Sequence, residues 1–184
     1  ADLRSRGAPE RLVDFIPNGI DSSRFQPPTP ERRSQARARF GLPADGPVAL
    51  GFAWHWDIKG GELFVRSVAA AREALPDLNG LHITSDRRAG ELSAELRLDG
   101  AIRSIKPVAD ATELYAAADV LLATSRQEGT PFAVLEALSS GLPVVASDIS
   151  GHRFVAERAA GIAIEPRRPD RFAAALVDAI AIGH

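Results

Sequence analysis

Short apolar runs alternate with helical segments along the chain from residue 47 to the C-terminus. The strand candidates lie at 48–53, 81–83, 101–105, 120–123, 143–146 and 161–164, and four of them contain no polar side chain, the exceptions being His82 and the pair Arg103-Ser104. Helices are predicted between and after these runs, at 60–75, 89–98, 112–118, 131–140, 151–158 and 170–182. Runs that are apolar at every position are typical of strands covered on both faces. The pattern therefore predicts an α/β fold with a doubly wound parallel sheet of about six strands, with ligands expected beyond the carboxyl ends of the strands.

The chain before residue 47 is less regular. Residues 12–16 are apolar enough for a short strand, and Pro17-Asn18-Gly19 is typical of a turn. An extended, proline-rich spacer at 27–30 is followed by a predicted short helix at 31–40, which ends at Gly41. No internal repeat or low-complexity tract divides the chain further.

Composition excludes several classes of protein. A chain of 184 residues, 45% of them apolar, is typical of one globular domain, and the net charge of −2 gives no indication of a nucleic-acid or anionic-membrane surface. The absence of cysteine excludes disulfides, thiolate nucleophiles and cysteine-based zinc sites. No apolar run approaches the ~18 residues that span a bilayer and no signal peptide opens the chain, so we expect a cytoplasmic protein without a transmembrane segment. Methionine is absent even at position 1, as expected for a trimmed chain or a piece of a longer protein.

The loop and helix at 125–138 carry the strongest chemical signal. They follow the apolar run at 120–123 directly, with Thr130 as the predicted N-cap and Pro131 at the first helical position. Gly141, together with the proline two residues later, is expected to end the helix. A strand that leads through a tight loop into a helix N-terminus favours an anion-binding site.

Two glutamates lie in this stretch, Glu128 in the loop and Glu136 in the helix. Carboxylates would repel phosphates, but they can accept hydrogen bonds from hydroxyl groups on either side of a diphosphate. The residues alone leave an alternative of equal weight, in which both glutamates are solvated surface charges.

Three segments of the chain resemble one enzyme family in the family's own order. The Glu-x7-Glu pattern at 128–136 is similar to the signature of the retaining nucleotide-sugar glycosyltransferases of family 4, also called group 1. Residues 16–21, with Arg24-Phe25, resemble that family's interdomain linker, and residues 113–120 match the segment that precedes its glutamate motif. The resemblance implies the GT-B architecture, in which two Rossmann-like domains face each other.

Within that architecture, the chain resembles the C-terminal domain, which binds the nucleotide-sugar donor. Residues 1–30 would be a remnant of the N-terminal domain and the interdomain linker, and residues 31–184 the Rossmann-like domain itself. The partners implied are the nucleotide sugar and the N-terminal acceptor domain of the same full-length chain. Any peripheral attachment of the whole protein to the inner face of the membrane would come from the missing N-terminal domain.

The resemblance assigns candidate roles to individual residues. Glu128 would grip hydroxyls of the donor sugar and Glu136 the ribose hydroxyls, while Lys59 would neutralise the diphosphate as it leaves. The backbone N–H groups of Thr130, Phe132 and Ala133 would face the sugar or diphosphate as hydrogen-bond donors. Gly129, in the same loop, would also contact the donor. Pro131 has no amide proton to donate.

The sequence departs from the family pattern just after the first strand. The family commonly has an arginine shortly before its lysine, and here Trp54 and His55 occupy that neighbourhood. His55 could donate one hydrogen bond to the diphosphate, and Trp54 would contact the donor; simple packing is the alternative for Trp54 and is favoured for Trp56. Three arginines on other loops could supply the missing charge: Arg87, Arg88 and Arg126. Phe154 stands where the family frequently has an acid.

The sequence thus predicts the donor domain of a retaining glycosyltransferase that needs no metal and no other cofactor, and that is inactive as a fragment. A catalytically inactive nucleotide-sugar-binding module is the alternative, which the missing arginine favours. The four histidines have no paired spacing, so no metal site is expected, and His82 is predicted to be a hydrogen-bonded core residue. No Gly-x-Gly-x-x-Gly follows the first strand of the sheet, which disfavours a nicotinamide dehydrogenase. The base, the sugar and the acceptor are left open.

Overall fold

The computed structural model describes residues 18–98 and 100–182, together with Gly7. Its strands are β1 (Val48–Phe52), β2 (Asn79–Ile83), β3 (Ile102–Ile105), β4 (Val120–Ala123), β5 (Val144–Ser147) and β6 (Ile162–Glu165). They form one sheet in the order β3-β2-β1-β4-β5-β6, and every neighbouring pair is parallel. The predicted parallel sheet of six strands is confirmed. The strand predicted at 12–16 lies outside the described residues.

The helices are α1 (Pro30–Phe40), α2 (Trp56–Lys59), α3 (Gly61–Ala71), α4 (Arg88–Glu95), α5 (Thr112–Ala117), α6 (Phe132–Ser139), α7 (Ser150–Ala156) and α8 (Pro169–Ile182). Seven of them were predicted, with ends that differ by no more than four residues. Helix α2 was not predicted, because four residues are too few to leave a helical period in the sequence. Within the described ranges, no helix combines the length and apolar character needed to cross a bilayer.

The sheet separates two hydrophobic layers. Helices α3, α4 and α8 pack on one face, and α1, α5, α6 and α7 pack on the other. Successive strand residues alternate between the layers, since Ala49 joins the first layer while Leu50 joins the second. Both faces of the central strands are therefore buried, which explains why β1 and β4 contain no polar side chain.

The strand order places a crevice at the middle of the sheet. Chain connections run outward in opposite directions from β1 and β4, which lie side by side. The loops that leave the carboxyl ends of these two strands therefore separate, and open α/β sheets bind their ligands at such a point.

Residues 18–29, part of the predicted linker, pack against this domain. Phe25 is buried, and its ring meets the Tyr115 ring edge-on at a centroid distance of 5.7 Å. The Ser139 hydroxyl donates a hydrogen bond of 2.6 Å to the Phe25 carbonyl. The segment thus contributes a side chain to the layer formed by α1, α5, α6 and α7.

A buried ion network fixes the start of β4. The Asp119 carboxylate accepts hydrogen bonds from Arg33, from Arg37 at 2.8 Å and from the Val48 amide at 2.7 Å. Arg37 is only 5% exposed and also donates to the carbonyls of Ala44 and Ala117. Asp119 therefore ties α1, β1 and β4 together at the amino end of β4.

His82 lies in the core, but the prediction that its ring is hydrogen-bonded is wrong. The side chain is fully buried in β2, stacked on Phe64 at 4.4 Å and beside Trp56 at 5.8 Å. Neither ring nitrogen has a partner among the described residues. The aromatic neighbours that exclude water offer no acceptor in its place, and burial lowers the pKa of His82 to about 3.

The buried imidazole is expected to make the fold sensitive to acid. As the pH falls below about 6.5, the unfolded chain binds a proton at His82 while the folded chain does not, so the free energy of unfolding decreases by up to about 1.4 kcal/mol per pH unit until the pH approaches 3. Urea unfolding at several pH values between 7 and 4.5 would measure the slope. The His82→Leu variant should lose that part of it, and identical slopes for both proteins would contradict the prediction.

Candidate functional site

A cleft of about 380 Å³ lies at the carboxyl ends of β1 and β4, and we call it the central cleft. It brings together seven of the nine residues predicted for the site: Trp54, Lys59, Glu128, Thr130, Phe132, Ala133 and Glu136. His55 and Gly129 do not line it; His55 is exposed at the start of α2, and Gly129 lines a neighbouring cleft. Residues far apart in the sequence thus meet at the point that the strand order favours for ligands.

Lys59 and Glu128 form an ion pair at the floor of the central cleft. The Nζ atom of Lys59 lies 2.6 Å from Oε1 of Glu128, and both side chains are less than one-fifth exposed. Ser125 donates a second hydrogen bond of 2.6 Å to the same oxygen. Within the described part of the chain, Oε2 of Glu128 has no donor, so this oxygen is available to a hydroxyl group of a ligand.

Lys59 is held by the junction of α2 and α3. Its carbonyl accepts a hydrogen bond of 2.8 Å from the Thr124 hydroxyl, and the next residue, Gly60, has a φ of +71°. A Cβ atom at Gly60 would lie 2.1 Å from the Thr124 carbonyl oxygen. Glycine is required here by both the backbone conformation and the close approach, so the loops after β1 and β4 are locked to each other.

Trp54 covers the lysine from the solvent side. Its ring centre lies 4.8 Å from Nζ of Lys59, and half of its surface is exposed. Trp56 is buried in the core, which confirms packing as its role. Trp54 therefore has a polar contact in the cleft, a cation–π interaction with Lys59.

The start of α6 differs from the prediction. The helix begins at Phe132, with Pro131 rather than Thr130 as the residue before it and without a side-chain cap. Pro131 has φ −82° and ψ 79°, and the Phe132 amide donates to the Thr130 carbonyl at 3.0 Å, which is an inverse γ-turn. The proline ring restricts φ of Pro131 to values close to the one that this turn requires. The turn therefore occupies Pro131, and the helix begins at the next residue. The Phe132 amide is used within the turn. The end of the helix follows the prediction, with Gly141 in a left-handed conformation.

Glu136 is held by a residue that the sequence analysis missed. The buried Tyr115 hydroxyl donates a hydrogen bond of 2.6 Å to Oε2 of Glu136. Burial and the neighbouring carboxylate raise the pKa of Tyr115 well above its usual range, so the hydroxyl keeps its proton. A tyrosine in an apolar helix is typical of a core residue, and its polar partner cannot be read from the sequence.

His152, on α7, is a second residue that was missed. It lines the central cleft although it is only 1% exposed, and its Nδ1 lies 2.9 Å from the Ser147 carbonyl oxygen. A carbonyl accepts, so Nδ1 carries the proton; burial lowers the pKa of His152, so the other ring nitrogen is an acceptor. The preceding residue, Gly151, lets the start of α7 pack closely against the loop of Glu128, since a Cβ there would lie 2.8 Å from the Glu128 carbonyl oxygen.

None of the three arginines considered as substitutes lines the central cleft. Arg88 pairs with Asp57 and Asp86, Arg87 pairs with Glu91, and Arg126 donates to the Asp57 carbonyl. Among the described residues, Lys59 is therefore the single cation in its lining.

Two remaining sequence-based expectations concern position 154 and the absence of a metal site. Phe154, where the family frequently has an acid, lies outside the central cleft and packs under the Arg158 guanidinium at 3.7 Å. No group of three or more metal-ligating side chains occurs within residues 18–98 and 100–182.

A sequence profile of the family described as Glycosyl transferases group 1 matches residues 47–181. The chain belongs to this family. Among its relatives is the D-inositol 3-phosphate glycosyltransferase of Geodermatophilus obscurus, which is 32% identical over an alignment that covers 92% of this chain and 40% of the relative. The enzyme of the same name from Corynebacterium urealyticum is 30% identical over 89% of this chain and 42% of its own length. This group 1 chain thus spans about two-fifths of the length of the curated relatives it matches.

Solved structures share the fold of this group 1 chain. Alr3699/HepE from Anabaena, in complex with UDP and glucose, superimposes with a TM-score of 0.84 at 20% identity, over 98% of this chain and 54% of that one. The C-terminal domain of a group 1 family glycosyl transferase (LpcC) from Francisella tularensis gives a TM-score of 0.71 at 22% identity, over 89% and 88% of the two chains. The group 1 chain therefore has the Rossmann-like fold of the C-terminal domain of a GT-B glycosyltransferase.

Proposed function

We propose that this domain binds the nucleoside-diphosphate sugar of a retaining glycosyltransferase and that a second domain brings the acceptor hydroxyl. The observation that supports this most directly is the meeting of Lys59, Glu128 and Glu136 in one cleft at the middle of a doubly wound sheet. One cation and two carboxylates with open oxygens match a ligand that has a charged centre between two sets of hydroxyls.

The proposed donor lies across the cleft with its diphosphate at Lys59. Glu128, which is paired with the lysine, then faces the sugar hydroxyls, and the neutral His152 offers a further acceptor beside it. Glu136 lies near the other end and accepts hydrogen bonds from the ribose, with the Tyr115 hydroxyl fixing its orientation. Thr130 and Ala133 contribute amides near the start of α6.

In the proposed reaction, the bond between the anomeric carbon and the diphosphate breaks, the acceptor hydroxyl oxygen bonds to the same carbon with retention, and the hydroxyl proton passes to an oxygen of the departing diphosphate. Negative charge develops on the leaving diphosphate, and Lys59 stabilises that charge in place of a metal ion. The acceptor domain is required for this step, so we expect the present chain to bind donor without transferring sugar. Transfer by a longer protein that contains this chain would distinguish an enzyme from an inactive nucleotide-sugar-binding module.

The relatives suggest ligands with which to begin. Alr3699/HepE is described in complex with UDP and glucose, and the curated relatives are named for D-inositol 3-phosphate. A thermal-shift screen of UDP-, GDP- and ADP-sugars would identify the base, because a ligand at 100 times its dissociation constant stabilises a protein by about 2.7 kcal/mol. No shift with any nucleotide sugar would contradict the proposed function.

The assignment of Glu136 to the ribose can be tested by a coupling experiment. The Glu136→Gln variant should bind the preferred ribonucleotide more weakly by about 1–3 kcal/mol, because an amide offers donors where two hydroxyls need acceptors. The same substitution should cost little with a 2′,3′-dideoxy ligand, which has no hydroxyls at that position. Calorimetry of the four combinations gives the coupling energy.

The fold should tolerate this substitution, because Tyr115 can still donate to the amide oxygen. Unchanged thermal unfolding of the variant is therefore the control. Additive losses without coupling would mean that Glu136 is an ordinary helix residue.

A further inference from the structure

A second cleft, of about 260 Å³, lies behind the loops that carry Lys59 and Ser125. We call it the arginine cleft, because Arg66, Arg126 and Arg167 line it together with the carboxylates of Asp57 and Glu62. It shares no lining residue with the central cleft. The two clefts are nevertheless lined by consecutive residues at one point, since Gly60 lines the arginine cleft while Lys59 lines the central one.

The charges in the arginine cleft do not cancel. Glu62 is paired with Arg66 at 2.8 Å, and Asp57 is paired with Arg88 at 3.1 Å. Neither Arg126 nor Arg167 has a carboxylate partner within the described ranges of the chain. The lining thus has three positive and two negative formal charges, and Arg126 and Arg167 are the arginines in it that have no ion pair among those residues.

Both guanidinium groups are held in place by backbone carbonyls. Arg126 donates from Nε to the Asp57 carbonyl at 3.1 Å, and its amide bonds to the Ile58 carbonyl at 2.7 Å. Arg167 donates from Nη1 to the Thr124 carbonyl at 2.6 Å. Each contact uses one N–H of a group that has five, so the other N–H groups of each arginine remain as donors for a ligand.

The two arginines repel each other in this arrangement. Burial and the nearby charge of Arg126 lower the pKa of Arg167. An anion between the two groups would remove that repulsion, and the prior anchoring of both side chains reduces the entropy lost on binding. A tetrahedral dianion with several acceptor oxygens matches two guanidinium forks better than a monovalent ion does.

We propose that the arginine cleft binds a phosphomonoester group, at a site separate from the one proposed for the donor diphosphate. The ligand is either free phosphate or a molecule that carries a terminal phosphate, such as a polyol phosphate or a lipid headgroup. The site depends on Arg126 and Arg167 and is independent of Lys59.

The test is a calorimetric titration of the protein with inorganic phosphate at constant ionic strength. We expect saturable binding that becomes about tenfold weaker or more in Arg126→Gln and again in Arg167→Gln, since each loses charge-assisted hydrogen bonds. Arg103→Gln is the matched control, because Arg103 is an exposed arginine on β3, at the opposite edge of the sheet from β6. This variant and Lys59→Ala should bind phosphate as the unaltered protein does.

Two results would overturn the proposal: the absence of saturable phosphate binding, or binding that is lost in Lys59→Ala and kept in Arg126→Gln. Because Arg126 is exposed, its variant should unfold at the same temperature as the unaltered protein, and this is the check on folding. Titration with glycerol 3-phosphate and sedimentation with phosphatidic acid vesicles then identify the source of the phosphate group. Nucleotide-sugar binding is measured on the same variants. It shows whether the proposed donor site works, independently of the result for the arginine cleft.

Discussion

Replacing Lys59 by alanine is expected to weaken nucleoside diphosphate binding by about 10- to 150-fold, the equivalent of one charge-assisted hydrogen bond. The reason is that Lys59 is the single cation lining the central cleft among the described residues. Binding of the nucleoside without phosphates should change little. Calorimetry with both ligands measures the difference in binding. An equal loss of affinity for both ligands would contradict the assignment of Lys59 to the diphosphate.

The matched control is Lys106→Ala, which replaces an exposed lysine outside the cleft lining. Lys59→Ala also leaves Glu128 without its cation, and this carboxylate would then repel the diphosphate. The double variant Lys59→Ala/Glu128→Gln separates the two effects, because it removes the repulsion as well as the attraction. We expect it to recover part of the diphosphate affinity and none of the sugar contacts.

Replacing Asp119 by alanine is expected to destabilise the fold by about 3–5 kcal/mol, a large fraction of the stability of a domain of this size. The substitution removes the acceptor of Arg33, Arg37 and the Val48 amide, and it leaves Arg37 buried without a counter-ion. Urea unfolding at neutral pH measures the loss.

The control for Asp119 is the ion pair of Arg39 with Glu113, which joins α1 to α5 and lies near the surface. Glu113→Ala should cost no more than about 1 kcal/mol, because an exposed pair gains little over its interactions with water. Equal losses for the two variants would mean that the Asp119 network contributes no more than a surface pair.

The sheet could be predicted from the sequence because its physical cause is local. Burial of both faces leaves apolar residues along β1 and β4 and at the first three positions of β5, and these runs are visible directly in the sequence. Helix α2 and the γ-turn at Pro131 could not be predicted in the same way. Each spans only a few residues and leaves no period in the sequence, and the end of α2 also depends on a loop contact, the one between Gly60 and Thr124.

The candidate site was predicted in part. The family resemblance selected Lys59, Glu128 and Glu136, and the fold then brought them to one cleft. Tyr115 and His152 were missed because both look like core residues in the sequence, and both are buried. Each matters because one polar atom of its side chain faces the cleft or a cleft residue. That orientation is set by tertiary packing and cannot be read from the sequence. The arginine cleft was missed for the same reason, since its two arginines without an ion pair, Arg126 and Arg167, are 41 residues apart in the sequence.

The ion pair between Lys59 and Glu128 gives the central cleft a selectivity that neither residue has alone. Each group is the counter-ion of the other, so a simple anion that takes the lysine leaves a mostly buried carboxylate with Ser125 as its remaining partner. A molecule that joins phosphate to a polyol replaces both partners in one exchange, since its phosphate meets the lysine and its hydroxyls meet the glutamate. The pair is therefore expected to make the cleft bind bare phosphate weakly and sugar diphosphates more tightly.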